Sequence, residues 1–116
     1  MIPKAIKLTD IQVASITKLI PSQSHKQFIK FIAKNPDSTT AKVLGQTGIN
    51  DIVETSQMVA EPLFKKGFYL CCRMTENKPE PTEQWRIEKI PYHAEHCETA
   101  EELREYVNQL AEASAN

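Results

Sequence analysis

Residues 38–90, STTAKVLGQTGINDIVETSQMVAEPLFKKGFYLCCRMTENKPEPTEQWRIEKI, decide the fold. Ser38, Thr39 and Thr40 offer N-cap hydroxyls to a short helix whose apolar face is Ala41, Val43 and Leu44. Gly48 ends it, because a helix C-cap needs a left-handed residue and glycine adopts that backbone without steric cost. Ile49 can close the cap with an apolar contact. Asn50 is a good N-cap for a second helix, with Ile52, Val53, Val59 and Ala60 as its inward side. Pro62 removes a hydrogen bond and crowds the carbonyl of Met58, so this helix ends near Glu61 or kinks there before a last turn over 63–66. Lys65 and Lys66 suit a helix C-terminus, and Gly67 suits its cap. The period then turns from helical to alternating. FYLCCRM and QWRIEKI flank a polar loop with two prolines, which reads as a β-hairpin.

Helix, tight glycine turn and helix form the helix-turn-helix unit. Followed by a hairpin, it resembles the winged-helix DNA-binding family. The resemblance is carried by Thr40-Ala41-Lys42-Val43-Leu44 for the first helix, Thr47-Gly48-Ile49-Asn50 for the turn and Asp51 to Glu61 for the recognition helix. Phe68 to Met74 and Trp85 to Ile90 match the wing strands. It implies an α+β, mainly helical fold: a winged helix-turn-helix over 1–92, then a linker and an added amphipathic C-terminal helix over 93–116. It also implies that helix 50–61 enters the major groove and presents outward residues to base edges. Those residues are Asn50, Asp51, Glu54, Thr55, Gln57 and Met58. Asn and Gln can pair bidentately with adenine, and acidic groups can accept from cytosine N4. Thr40, Lys42, Lys65, Lys66, Arg73 and the wing's Lys78 are the further DNA-binding candidates, and Arg86 could also reach phosphate.

Several residues depart from that pattern. No Arg or Lys lies between Asn50 and Glu61, and Asp51 and Glu54 would face a polyanion. Both equally suit the positive end of a helix. The wing loop, Thr75 to Glu83, sets Lys78 against Glu76, Glu80 and Glu83, whereas a wing that grips phosphates wants cations. The net charge is −1 and the isoelectric point about 6.3, below the basic balance of a typical nucleic-acid binder. The charge is unevenly spread: Met1 to Lys34 carries +5 and Pro91 to Asn116 carries −5. Distribution decides where a basic face can form.

In the first third, Lys4 to Leu8 alternates weakly and reads as a short strand beside the wing. Thr9 or Asp10 caps a helix to Ile20, with Ile11, Ala14, Ile16, Leu19 and Ile20 as its apolar stripe. Ser22 or Ser24 caps the next helix, which runs to Lys34 before Asn35-Pro36 and turns Phe28, Ile29 and Ile32 inward. Lys26, Lys30 and Lys34 recur every four residues and form a cationic ridge, either a solvated face or a phosphate contact. At the other end, Thr99 and Glu102 form a capping box, and Leu103, Tyr106, Val107 and Leu110 make a helical stripe. That helix, 99–113, packs back on the domain or pairs two copies as a homodimer.

A chain of 116 residues supports one domain with a modest core. No run approaches the ~20 apolar residues of a membrane span. MIPKAIKLTD lacks the apolar region of a secretory signal, so no membrane association and a cytoplasmic location are expected. Cys71, Cys72 and Cys97 are an odd number. Cys71 and Cys72 are adjacent in a strand and point to opposite faces, so free thiols are expected. His93, His96 and Cys97 are metal-ligating residue types, but their spacing matches no standard zinc site. No cofactor, no metal and no enzymatic activity are expected, for want of a phosphate loop, paired carboxylates or a nucleophile-base constellation. The leading expectation is a sequence-specific double-stranded DNA-binding protein, a small transcriptional regulator. The alternative is a winged-helix adaptor or inhibitor that docks a protein partner through an acidic surface.

Overall fold

The computed structural model describes residues 7–74 and 82–115, with the backbone alone for residue 92 and residues 111–115. These form an α+β, mainly helical arrangement compatible with a winged-helix layout. Its helices are α1 (Asp10–Thr17), α2 (Gln23–Lys34), α3 (Thr40–Thr47), α4 (Ile52–Lys65) and α5 (Ala100–Ala115). Its strands are β1 (Ser38–Thr39), β2 (Phe68–Met74) and β3 (Glu83–Lys89). The sheet is antiparallel in the order β1-β3-β2, with Ser38 opposite Trp85 and Leu70 opposite Ile87.

Local chemistry sets the helix ends. Thr9 and Gln12 form a complete capping box at α1, through Thr9 N–H to Gln12 Oε1 (2.8 Å) and Gln12 N–H to Thr9 Oγ1 (3.2 Å). Ser22 caps α2 and Thr39 caps α3. Gly48 closes α3 at φ +73°, and no atom lies near where a Cβ would stand, so the backbone conformation alone calls for glycine. At α4 the cap is Asp51 and not the expected Asn50. Its Oδ1 accepts from the N–H groups of both Val53 (3.0 Å) and Glu54 (3.1 Å). α4 runs on through Pro62 to Lys65 as one helix. Lys66 then caps it, and Gly67 follows at φ +86°.

The main core gathers Ile16, Phe28, Ile29, Ile32, Val43, Val59, Leu63 and Ile87, all fully or almost fully buried. It lies between the helices and one face of the sheet. A smaller cluster joins Ala94, Cys97 and Leu103 to Phe64, Tyr69, Ile90, Tyr106 and Val107. Through it α5 docks on the end of α4 and on β2. Leu110, one turn further on, is 42% exposed.

Two further expectations differ from the structure. The third strand is Ser38–Thr39, while Lys7 and Leu8 form no strand and residues 4–6 lie outside the described residues. α1 ends at Thr17, and its buried side is Val13, Ile16 and Thr17, with Ile11 83% exposed. Of the expected stripe, Ile16 and Ile20 are buried, while Ile11, Ala14 and Leu19 are exposed and Val13 takes an inward place, because the apolar residues are spread around the axis.

Candidate nucleic-acid interface

The αL backbone at Gly48 turns the chain sharply between α3 and α4, and Ile49 is buried beneath the turn. α4 buries Thr55, Val59 and Leu63, spaced four residues apart along one side. Its outward side therefore presents Val53, Glu54, Gln57, Met58, Glu61 and Lys65, all exposed. Asn50 is exposed just before the helix.

The candidates divide into three groups. Glu54, Gln57 and Met58 share the outward side of α4. Thr55 does not: it is only 3% exposed, and its hydroxyl donates to the Asp51 carbonyl at 2.8 Å. Thr55 therefore drops out of the base-reading set, because its hydroxyl is turned into the helix. Asp51 is exposed, but its carboxylate is committed to the helix N-terminus. The cations sit at either end of the motif. Lys42 is exposed on α3, while Lys65 and Lys66 lie at the far end of α4, about 20 Å from Asp51 at 1.5 Å per residue.

Thr40 at the start of α3 and the strand arginines are engaged elsewhere. Thr40 is half-buried and accepts a hydrogen bond from Trp85 Nε1 at 2.8 Å. Arg86 is buried, which withdraws it from phosphate contact. Its Nε and Nη2 donate to the two Asp37 carboxylate oxygens, each at 2.8 Å. Arg73 pairs with Glu88 at 3.1 Å, and Glu88 also accepts from the Tyr69 hydroxyl at 2.7 Å. Arg73 would have to leave that pair to meet a phosphate. Lys78 lies outside the described residues. On α2, Lys30 and Lys34 are exposed and Lys26 is half-buried. α2 packs on α1, α3 and β3.

Two features escaped the sequence reading. Val53 was expected inward but is 58% exposed, while Met58, expected outward, is 60% exposed. Thus the outward side of α4 mixes apolar and acidic groups. The second feature is a groove of about 610 Å³ along α4, bounded by Val53, Gln57 and Ala60 of α4, Leu70 of β2, and Arg104 and Val107 of α5. The α5 stripe was legible, but the neighbour it would choose was not.

Two thiols, Cys71 and Cys72, are raised above the ordinary cysteine range. Desolvation pushes Cys72 up to about 12, helped by the Glu83 carboxylate 3.4 Å from its sulfur. Desolvation and then Glu88 raise Cys71, while Cys97 is buried. Desolvation and the bond to Glu88 likewise raise Tyr69. Among the described residues, no cluster of three or more His, Cys, Asp or Glu side chains could hold a metal ion, and no helix is long and apolar enough to cross a membrane. No protein-family model, curated protein or solved structure matches the chain.

Proposed function

We propose that this protein belongs with the winged-helix DNA-binding proteins and binds double-stranded DNA as a small transcriptional regulator, with α4 in the major groove. The observation that carries the reading is the ordered series α3, left-handed Gly48, α4 and hairpin, with β1 completing the sheet and Asn50, Glu54 and Gln57 exposed. Gln57 reads adenine, while Lys42, Lys65 and Lys66 hold phosphates. A homodimer through α5 would have to use Leu110, because Leu103, Tyr106 and Val107 already pack within the chain. Selection from random duplexes, followed by Gln57→Ala, tests the reading. The substitution relaxes preference at one base pair by about 1–3 kcal/mol. An unchanged preference sinks the role of Gln57, and failure to select any sequence sinks sequence-specific binding.

A second reading has its own observation. Val53 and Met58 are exposed beside Glu54 and Glu61, a mixed apolar and acidic surface suited to docking a protein. Val53→Asp and Met58→Asp would abolish partner capture on that reading.

A further inference from the structure

α5 lies beside the helix proposed to read DNA. Glu61 of α4 caps it from outside: its Oε1 accepts from the Ala100 N–H at 2.9 Å. Leu103 is buried, and Tyr106 and Val107 are half-buried against the same cluster as Phe64 and Tyr69. His93 Nδ1 lies 2.8 Å from the Tyr106 hydroxyl, and the His96 ring packs edge-on against Tyr106. The groove along α4 therefore has Val53 and the proposed base-reading Gln57 on one wall and α5 on the other.

A helix with its side chains is about 10–12 Å across, and the DNA major groove is about 12 Å wide. A groove that takes α4 has no room for α5 beside it. α5 would then stand where the flanking phosphates run. The exposed surface of α5 carries Glu101, Glu102 and Glu105 against Arg104, a net negative charge that disfavours a polyanion brought near it.

We infer that α5 is an autoinhibitory helix: docked on α4 it lowers duplex affinity, and it must leave α4 for full binding. The inference rests on the DNA-binding reading. α5 docks through a small cluster separate from the main core, centred on buried Leu103 with half-buried Tyr106 and Val107, the His93 and His96 contacts to Tyr106 and the Glu61 bond. A satellite of this size can open locally while the main core stays folded. The apparent affinity is the intrinsic affinity scaled by the undocked fraction.

The test uses the full chain, a random-sequence duplex followed by fluorescence anisotropy, and amide hydrogen exchange over α5. Val107→Ser loosens α5 without changing charge. It should speed exchange in α5 and tighten duplex binding about five- to tenfold. Ala100→Pro removes the N–H that Glu61 accepts from, changes no charge, and places proline at the first helical position, where it is tolerated. It should also speed exchange in α5 and tighten binding, and it decides the matter if Val107→Ser unfolds the domain. Wild-type protein that binds duplex, with variants whose α5 exchanges freely and bind no tighter, overturns the autoinhibition while leaving the DNA reading intact. No duplex binding by wild type or by any freed variant overturns both.

Discussion

The Trp85 indole donates to the Thr40 hydroxyl at 2.8 Å, tying the central strand to the first turn of α3 across 45 residues of sequence. The bond sets where the helical pair begins relative to the sheet. Trp85→Phe keeps most of the buried ring and loses the donor. It should cost about 1 kcal/mol in urea unfolding, and Thr40→Val a similar amount. The double variant should cost less than the two together, because both remove the same bond. Full additivity would mean that the bond contributes nothing.

Asp37 combines a charge and an unusual backbone. It sits at φ +67°, gives both carboxylate oxygens to buried Arg86, and donates its N–H to the Trp85 carbonyl at 2.8 Å. Asp37→Ala removes the partner of a buried cation and places alanine in the left-handed region. Since Asp37 is about one-third exposed and Glu88 also lies near Arg86, solvent and a second carboxylate soften the loss. A cost of about 2–3 kcal/mol is expected, read as a lower urea midpoint. Asp37→Asn tolerates the backbone and should cost less. Equal costs would show that the backbone strain is immaterial.

Cys72 is exposed yet should label slowly. A thiol pushed up to about 12 by desolvation and by Glu83 has roughly a thousandth of the thiolate of an unperturbed cysteine at pH 8. Alkylation by iodoacetamide in the folded protein should be correspondingly slow. Glu83→Gln removes the acceptor charge and should speed it. Labelling of Cys72 at the rate of a free peptide thiol would contradict this account.

The sequence carried local signals well and neighbour choices poorly. Thr9 and Ser22 cap through their own hydroxyls, and Gly48 and Gly67 turn the chain through a left-handed backbone, all within a few residues. The sequence could therefore narrow each start to two nearby candidates and mark the glycine turns. Ser38–Thr39 is too short a strand to show alternation, and its pairing with Trp85 is visible only in three dimensions. Val53 was assigned inward because it is apolar, while the inward row is Thr55, Val59 and Leu63. A threonine can occupy that row because its hydroxyl is satisfied by the preceding turn. Of the candidate interface, Glu54 and Gln57 were legible as outward residues, and Lys42, Lys65 and Lys66 as exposed cations. The pairing of Arg73 with Glu88 and of Arg86 with Asp37 was not, since each joins residues distant in sequence.

The most direct test of the central proposal is duplex binding against salt concentration, by fluorescence anisotropy at micromolar protein. With Lys42, Lys65 and Lys66 on phosphates, the logarithm of affinity should fall against the logarithm of salt with a slope of about −3. A change of slope by about one unit on Lys42→Ala would assign one contact to that residue. No binding at low salt by the wild type or by Val107→Ser would contradict the DNA reading and leave the exposed Val53 and Met58 surface as the one to test.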